Sequence, residues 1–217
     1  MGVLRSKPEP VMPAPATRVV RPLLFVGDDD ALVSALRAGH PGAKVALFDR
    51  YGSHVRRVLV STLELDPELP DLLHDVFLAA FESIHQLSKA GSLKAWLTSV
   101  AVFVARGRIR RRRRRWWLKF RPPEALPDLP VSDVSPEASQ AVRATYAILE
   151  QLPVDERLAF SLRLIEGMEL TEVAAACRVS LATAKRRLAR ALRKFAELAK
   201  NQPALEPWLK ESRRWSV

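Results

Sequence analysis

The stretch ELTEVAAACRVSLATAKRRLARALRKF, residues 169–195, decides how the C-terminal part of the chain folds. Its pattern predicts a short helix over residues 170–176, a tight turn over residues 177–179, and a longer helix that begins after a Ser180 cap. The second helix would bury the apolar stripe Leu181, Ala184, Leu188, Leu192 and Phe195. Two short helices joined by a tight turn, the second of them basic, are typical of a helix-turn-helix that enters the major groove of DNA.

The basic second helix is the candidate base-reading surface. Residues early in such a helix face base edges, and an arginine there can pair with guanine through two hydrogen bonds. The residues predicted to contact DNA are Ser180, Ala182, Thr183, Lys185, Arg186, Arg187 and Arg190. A solvated basic face on an ordinary helical hairpin is the alternative that this segment alone leaves open.

A second basic site lies in the middle of the chain, where Arg106, Arg108 and residues 110–115 are arginines and two tryptophans follow. Like charges at one helix end repel one another, and a phosphate backbone neutralises them. Tryptophans beside such a run can stack on unpaired bases. The predicted DNA contacts here are Arg106, Arg108, Arg110, Arg111, Arg112 and Trp116. A membrane-surface anchor is a weaker alternative, because no long amphipathic helix with aromatic residues along one face adjoins the run.

The composition also points to a polyanionic partner. The 217-residue chain has 35 Lys and Arg against 24 Asp and Glu, which gives a formal net charge of +11. No apolar run is long enough to span a membrane and the start lacks a signal-peptide core, so we expect a cytoplasmic protein. The single cysteine, Cys177, excludes an internal disulfide and is expected to be a small hydrophobic residue of the turn. Because metal-ligand spacing and phosphate-binding glycine loops are absent, we expect no catalysis, no metal and no cofactor.

Helical periodicity runs along most of the chain and strand alternation is essentially absent, so the predicted fold class is all-α with two helical domains. The predicted segments are a disordered arm at 1–27, a helical domain at 28–115, a Pro-rich linker at 116–139, a helix-turn-helix domain at 140–200 and a tail at 201–217. The clearest helix of the first domain covers residues 71–87. A second predicted helix of this domain covers residues 43–62, and its expected core residues are Val45, Phe48, Val55, Val58 and Leu59.

Two blocks of the sequence resemble the extracytoplasmic-function branch of the sigma-70 family. The first, DLLHDVFL at residues 71–78 with LKAWL at 93–97, is similar to region two of that family. The second, with LP at 152–153, EG at 166–167 and TAKRRLARA at 183–191, is similar to region four, the helix-turn-helix that reads the upstream promoter element. The order, the spacing and the intervening linker agree with the family as well.

The resemblance implies a transcription initiation factor that binds core RNA polymerase, through the β′ clamp and the β flap. It also implies contact with double-stranded promoter DNA and with the melted single strand. The implied polymerase-binding residues are Asp71, Leu72, Asp75, Val76 and Phe77. An anti-sigma factor would be a further partner, while a small-molecule substrate and a membrane are not expected. The expected location is the cytoplasm, in association with the nucleoid.

The chain departs from the family pattern at four positions. Val102 and Phe103 stand where the family usually has an Arg-Asn pair, and Gly107 stands where it has an Asp. Glu169 replaces the usual Ser cap of the helix-turn-helix. We expect Val102 and Phe103 to lie in the core, and the downstream element to be read loosely through charge and stacking. These departures leave open a sigma-like regulator or decoy that does not itself initiate transcription.

A response-regulator transcription factor is a further alternative. The segment LLFVGDDD at residues 23–30 resembles the first strand and the acidic pocket of a receiver domain. A receiver needs alternating strands and helices, whereas residues 40–115 show helical periodicity and the arginine run. The sequence therefore favours the all-helical interpretation.

Overall fold

The computed structural model describes residues 25–64, 66–87, 93–118 and 135–207, and for residues 115–118 only the backbone. These residues form eight α-helices and no strand. The helices are α1 (Asp29–Arg37), α2 (Pro41–Leu63), α3 (Leu69–Ser83), α4 (Leu93–Leu118), α5 (Pro136–Gln151), α6 (Val154–Phe160), α7 (Leu170–Cys177) and α8 (Leu181–Ala199). The all-α prediction is confirmed, and helices α1 to α3 stand where a receiver domain would alternate strands with helices.

Helices α1 to α4 form the N-terminal group. The carboxylate of Asp28 caps α1 by accepting from the Ala31 N–H at 2.9 Å, and Pro41 begins α2, where a missing N–H costs nothing. Val55, Val58 and Leu59 are buried as predicted. The prediction was wrong for Val45 and Phe48, whose residues are 59% and 47% exposed on the outer side of α2.

Helices α5 to α8 form the C-terminal group, and they include the predicted helix-turn-helix. The Ser180 hydroxyl caps α8 by accepting from the Thr183 N–H at 3.2 Å. Ala184 and Phe195 are buried, and the Phe195 ring stacks on Phe160 at a centroid distance of 4.7 Å. Leu181, predicted to be buried with them, is 38% exposed at the first position of the helix.

The turn between α7 and α8 also agrees with the sequence. Arg178 takes the left-handed conformation that ends α7, with φ of 54°. Cys177 is buried beside it, as expected for a small hydrophobic residue, and burial raises the pKa of its thiol. A raised pKa keeps the sulfur protonated and unreactive at neutral pH.

The two groups pack against each other through a shared apolar core. Leu158, Leu162 and Val173 of the C-terminal group belong to the same buried cluster as the core residues of α2 and α4. Two polar side chains complete the contact at the end of α2: the Tyr146 hydroxyl donates to the Val60 carbonyl at 3.1 Å, and Arg157 Nε donates to the Thr62 carbonyl at 3.0 Å. Because the last carbonyls of a helix lack partners within it, Arg157 caps α2 at the Thr62 carbonyl.

The helices do not end at the predicted segment boundaries. Helix α4 continues to Leu118 and α5 begins at Pro136, so both helices extend into the stretch assigned to the linker at 116–139. The tail assigned to 201–217 starts with a folded turn, Pro203–Leu205, whose Leu205 is buried. Residues 1–24 of the predicted arm, residues 119–134 of the linker and residues 208–217 of the tail lie outside the described residues.

Candidate nucleic-acid interface

The first half of α8 presents a basic face to solvent. Ala182, Lys185, Arg186 and Arg190 are exposed there, which is where a base-reading helix needs them. Arg186 lies nearly two turns after the cap, and its Nη2 donates to the Thr183 hydroxyl at 3.2 Å. Helix α8 therefore places Arg186 and Lys185 side by side on an open surface within two turns of its N-terminus.

Arg187 and Arg190 each pair with an acidic residue at the start of α6. Arg187 Nη2 lies 2.9 Å from a carboxylate oxygen of Asp155, and Arg190 Nε lies 3.2 Å from Glu156. The Arg187 side chain keeps only 20% of its surface exposed, whereas the Arg190 side chain keeps 57%. Arg187 is therefore directed toward α6, and in this arrangement it does not share the open face of Arg186.

Some arginines of the run on α4 are exposed to solvent, whereas others pair with acidic residues. Arg110 and Arg111 are exposed to solvent. Arg112 Nη2 lies 2.9 Å from Glu150 of α5, and Arg106 Nε lies 3.2 Å from Asp155 of α6. The backbone of Trp116 belongs to the last turn of α4. Of the six candidate DNA contacts on this helix, Arg110 and Arg111 are thus open, whereas Arg106 and Arg112 face carboxylates of the C-terminal group.

Arg108 is committed to the fold of the N-terminal group. Its guanidinium donates to both carboxylate oxygens of Asp66 at 2.9 Å and lies 2.6 Å from Glu68, and the Asp66 side chain is 1% exposed. Burial alone would raise the pKa of Asp66, but the hydrogen bonds from Arg108 and from the Glu68 N–H outweigh it and lower the pKa. Breaking this pair would leave a buried charge, so a phosphate cannot readily recruit Arg108.

Three of the positions that depart from the family pattern lie on α4. Val102 is fully buried, as predicted, but Phe103 is 67% exposed, so its assignment to the core was wrong. Consecutive residues of a helix point about 100° apart, and the core reaches only one of this pair. A Cβ added to Gly107 would meet nothing within 4 Å, so packing does not require glycine there. Phe103 and Gly107 lie one turn apart and form an open strip on α4 that leads to Arg110 and Arg111.

Glu169 performs the capping role that a serine has in the family pattern. The Glu172 carboxylate accepts from the Glu169 N–H at 2.8 Å, and the two residues form a reciprocal capping box at the start of α7. Negative charge at this end also complements the dipole of the helix. This departure therefore leaves the start of the helix-turn-helix intact.

The predicted polymerase-binding residues divide by burial. Leu72, Val76 and Phe77 are core residues at 2%, 0% and 3% exposure, while Asp71 and Asp75 are exposed. The apolar members of the set therefore act by holding α3 in place, and an outside partner would reach the acidic ones.

An apolar surface that the sequence analysis missed adjoins these acids. Leu78 is 46% exposed on α3, and Phe48 on α2 places its ring 5.0 Å from the ring of Phe77. We call the exposed apolar residues of these two neighbouring helices, Val45, Phe48 and Leu78, the α2–α3 patch. The signal for it was present in the sequence, since Leu78 follows Asp75 by three residues and therefore shares its side of the helix.

A buried carboxyl at the contact of the two groups was also missed. Glu64 follows α2 in the left-handed region, with φ of 65°, and is 8% exposed. Burial, followed by the nearby charge of Glu150, raises its pKa to about 7, and the arginines at positions 112, 143 and 157 only partly oppose this. The groups that surround Glu64 come mostly from the C-terminal half of the chain, so no local pattern indicates them.

The described residues hold neither a metal cluster nor a membrane-spanning helix. No three His, Cys, Asp or Glu side chains in this part of the chain come together as a metal ion would require. None of the described helices combines the length and the apolar character needed to cross a bilayer.

Comparison with known proteins supports the assignment of both basic surfaces to one family. The family model described as Sigma-70 region 2 matches residues 47–115, and the model described as Sigma-70, region 4 matches residues 143–195. The ECF RNA polymerase sigma factor SigX of Bacillus subtilis is 31% identical over 170 residues, which cover 72% of this chain and 84% of that protein.

Solved structures show the same fold. The chain is similar to CnrH in its complex with the cytosolic domain of CnrY, with a TM-score of 0.56, 21% identity, and coverage of 80% of this chain and 99% of that one. It is also similar to the sigma factor RpoE in complex with the anti-sigma factor NepR from Bartonella quintana, with a TM-score of 0.55, 24% identity, and coverage of 72% and 96%. The chain therefore belongs to the sigma-70 family and is a sigma factor of the ECF type.

Proposed function

We propose that this sigma factor binds core RNA polymerase, directs it to promoters by reading the upstream element with α8, and handles the melted downstream strand with the end of α4. The observation that carries the proposal is the presence of two separate basic surfaces, one on each region that matches the family. Arg186 and Lys185 belong to the first surface, and Arg110 and Arg111 belong to the second. The two surfaces suit different forms of DNA, because α8 fits a major groove whereas a charged helix end binds any strand of phosphates.

The polymerase contact is assigned to the α2–α3 patch together with Asp71 and Asp75. Exposed large apolar residues on two packed helices, with acidic residues on the same helix α3, make a surface that a partner protein can cover. Such a patch loses contact with water when a partner covers it, and the acids select a basic partner. This assignment moves the contact from the buried Leu72, Val76 and Phe77 to the exposed side of the same helix. We assign the β′ clamp to this surface and the β flap to the C-terminal group.

The direct test is run-off transcription with purified core polymerase on a library of promoters. We expect transcripts from a subset of promoters that share an upstream element, and none from core polymerase alone. Binding to core polymerase without a transcript from any promoter would favour the decoy alternative. The proposal assigns no chemical step to this chain, because core polymerase supplies the catalysis.

The Asp75→Arg substitution is expected to weaken binding to core polymerase at least tenfold. The Asp75 side chain is exposed on α3, so reversing its charge changes the surface next to the α2–α3 patch without a cavity or a buried charge. Glu137→Arg, at an exposed position of α5, is the matched control for the change in net charge. Affinity is measured by titrating labelled protein with core polymerase, and circular dichroism establishes that both variants fold. Wild-type affinity in a folded Asp75→Arg variant would remove the assignment.

The Arg186→Ala substitution is expected to relax promoter preference at one position of the upstream element. Loss of a base contact costs about 1–3 kcal/mol and is specific to one base pair, whereas loss of a phosphate contact weakens all sequences alike. Arg193→Ala provides the control, since this exposed arginine lies two turns further along α8. The measurement is duplex binding over single-base variants of the selected promoter. Uniform weakening by Arg186→Ala would place base reading elsewhere on α8.

An anti-sigma factor is part of this proposal as a protein partner. The similar sigma factor RpoE was solved with the anti-sigma factor NepR. The extensive contact between the two helical groups offers such a partner a closed arrangement that it can stabilise or replace. We place the protein in the bacterial cytoplasm, in association with the nucleoid, where polymerase and promoters are found.

A further inference from the structure

The contact between the two helical groups uses side chains that the proposed function needs for DNA. Asp155 of α6 lies 3.2 Å from Arg106 of α4 and 2.9 Å from Arg187 of α8. Glu150 of α5 lies 2.9 Å from Arg112 of α4. Each carboxylate stands next to guanidinium groups of the kind that neutralise a DNA phosphate. We call this set of two acids and three arginines the clasp.

The arrangement around the clasp is a packed interface. Leu158 and Leu162, which follow Asp155 on the same chain segment, are fully buried in the core that α2 and α4 share. Tyr146 and Arg157 donate hydrogen bonds to carbonyl groups at the end of α2. The acids are therefore held against α4 by surrounding contacts and do not depend on a chance encounter between two mobile side chains.

The clasp also has an excess of positive charge. Two guanidinium groups share the single carboxylate of Asp155. Within the described residues, Arg106 Nε and Arg187 Nη1 are buried and make no hydrogen bond of good geometry. A phosphate group has more acceptor oxygens than a carboxylate and matches the guanidinium fork. A strand of DNA can therefore offer these arginines more than Asp155 does.

We infer that the protein is autoinhibited by its own acidic residues: Asp155 and Glu150 stand in for DNA phosphates on the arginines of α4 and α8, and DNA must displace them to bind. The inference rests on the proposed function, because it assumes that these arginines meet DNA. While these acids remain paired with the arginines, which we call the closed state, the free protein would not bind nucleic acid of any sequence. Affinity for DNA then falls in proportion to the fraction of molecules that are open.

The Asp155→Asn substitution tests this in the full chain. Asparagine has nearly the same shape as aspartate but loses the charge that holds Arg106 and Arg187. We expect at least fivefold tighter binding of a single-stranded 30-nucleotide DNA of arbitrary sequence. Asp49→Asn is the matched control, because Asp49 is exposed on α2 and the change in net charge is the same. Equal affinities for the two variants would overturn the inference.

A second measurement follows closure directly. Fluorophores on Ser53→Cys and Lys200→Cys, both at exposed positions, report energy transfer between the two groups, and the native cysteine is buried away from the dye. Transfer should fall in Asp155→Asn, and also in the wild type when the 30-nucleotide DNA is added. Unchanged transfer in both cases would overturn the inference.

A further variant separates the possible failures. If Asp155→Asn does not fold, Glu150→Gln frees Arg112 at a more exposed pair and should tighten DNA binding at least twofold over Asp49→Asn. No gain from this folded variant would overturn the inference. Absence of DNA binding in every variant, together with absence of transcription, would overturn the proposed function itself. Normal transcription with unchanged affinities would overturn autoinhibition alone.

Discussion

Replacing Arg110 and Arg111 together by glutamine is expected to weaken the binding of single-stranded DNA about 25-fold at 0.1 M salt. Each phosphate contact contributes a slope of about 0.7 in log K against log salt, so two contacts account for about 1.4 log units between 1 M and 0.1 M salt. Both side chains are exposed at the end of α4, so neither substitution disturbs a buried pair. The slope of the salt dependence should decrease by about 1.4 at the same time. The measurement is fluorescence anisotropy of a labelled 30-nucleotide strand at several salt concentrations.

The matched control replaces two other exposed cations, Arg56 and Lys200, by glutamine. The net charge of the two double variants is then identical. Because Arg56 lies on α2 and Lys200 at the end of α8, the control leaves the end of α4 unchanged. A salt slope that falls equally in both variants would mean that net charge attracts the strand, and α4 would lose its assigned role.

The same physics limits how sharply α4 can read sequence. Charge and stacking contribute to binding with little regard to base identity. On the exposed strip of α4, Phe103 and Gly107 provide no hydrogen-bonding side chain, while Arg110 and Arg111 provide charge. Promoters randomised at the downstream element should therefore remain active over a wider range of sequences than promoters randomised at the upstream element.

The features that the sequence predicted well are those that neighbouring residues determine. The Ser180 cap, the turn at Arg178 and the buried positions Ala184 and Phe195 of α8 depend on contacts within a few residues along the chain. Capping and helical periodicity express such contacts directly in the sequence. The helix-turn-helix could therefore be placed before the structure, and with it the exposed Arg186.

The features that the sequence did not predict depend on residues far apart in the chain. Arg187 and Arg186 are adjacent and chemically equal, but they point about 100° apart on α8, and the sequence alone did not show that Asp155 pairs with the one that faces inward. In the sequence, Arg108 is one more member of the arginine run, whereas in the structure it pairs with the buried Asp66. A basic pattern gives the number of charges on a helix, but the acids that neutralise some of them come from other helices.

The pairing of the two helical groups is expected to make the stability of the protein depend on Glu64. Burial in the contact raises the pKa of this carboxyl from 4.5 to about 7. A group whose pKa is raised by folding favours the folded protein at low pH, and this advantage is lost as the pH rises toward the folded pKa. The ionised form of Glu64 faces Glu150 in a site with little water, and the arginines nearby do not remove the penalty.

The size of the effect follows from the two pKa values. Between pH 5 and pH 8, Glu64 should lower the free energy of unfolding by about 2–3 kcal/mol. Glu64→Gln keeps the shape of the side chain and cannot ionise, so it should remove this loss and be the more stable protein at pH 8. The measurement is urea unfolding of both proteins at pH 5 and pH 8, followed by circular dichroism.

The difference between the two proteins, and not the pH profile of either, is the decisive quantity. His54 titrates in part of the same range with the opposite sign, because burial and the charges of Lys94 and Arg57 lower its pKa and its protonation disfavours the fold. Its contribution is the same in wild type and Glu64→Gln, and it cancels in the difference. A difference that stays constant from pH 5 to pH 8 would show that Glu64 is ionised without penalty. It would follow that the C-terminal group does not close over the end of α2 in solution, since Glu150 and Arg157 reach Glu64 only from that side.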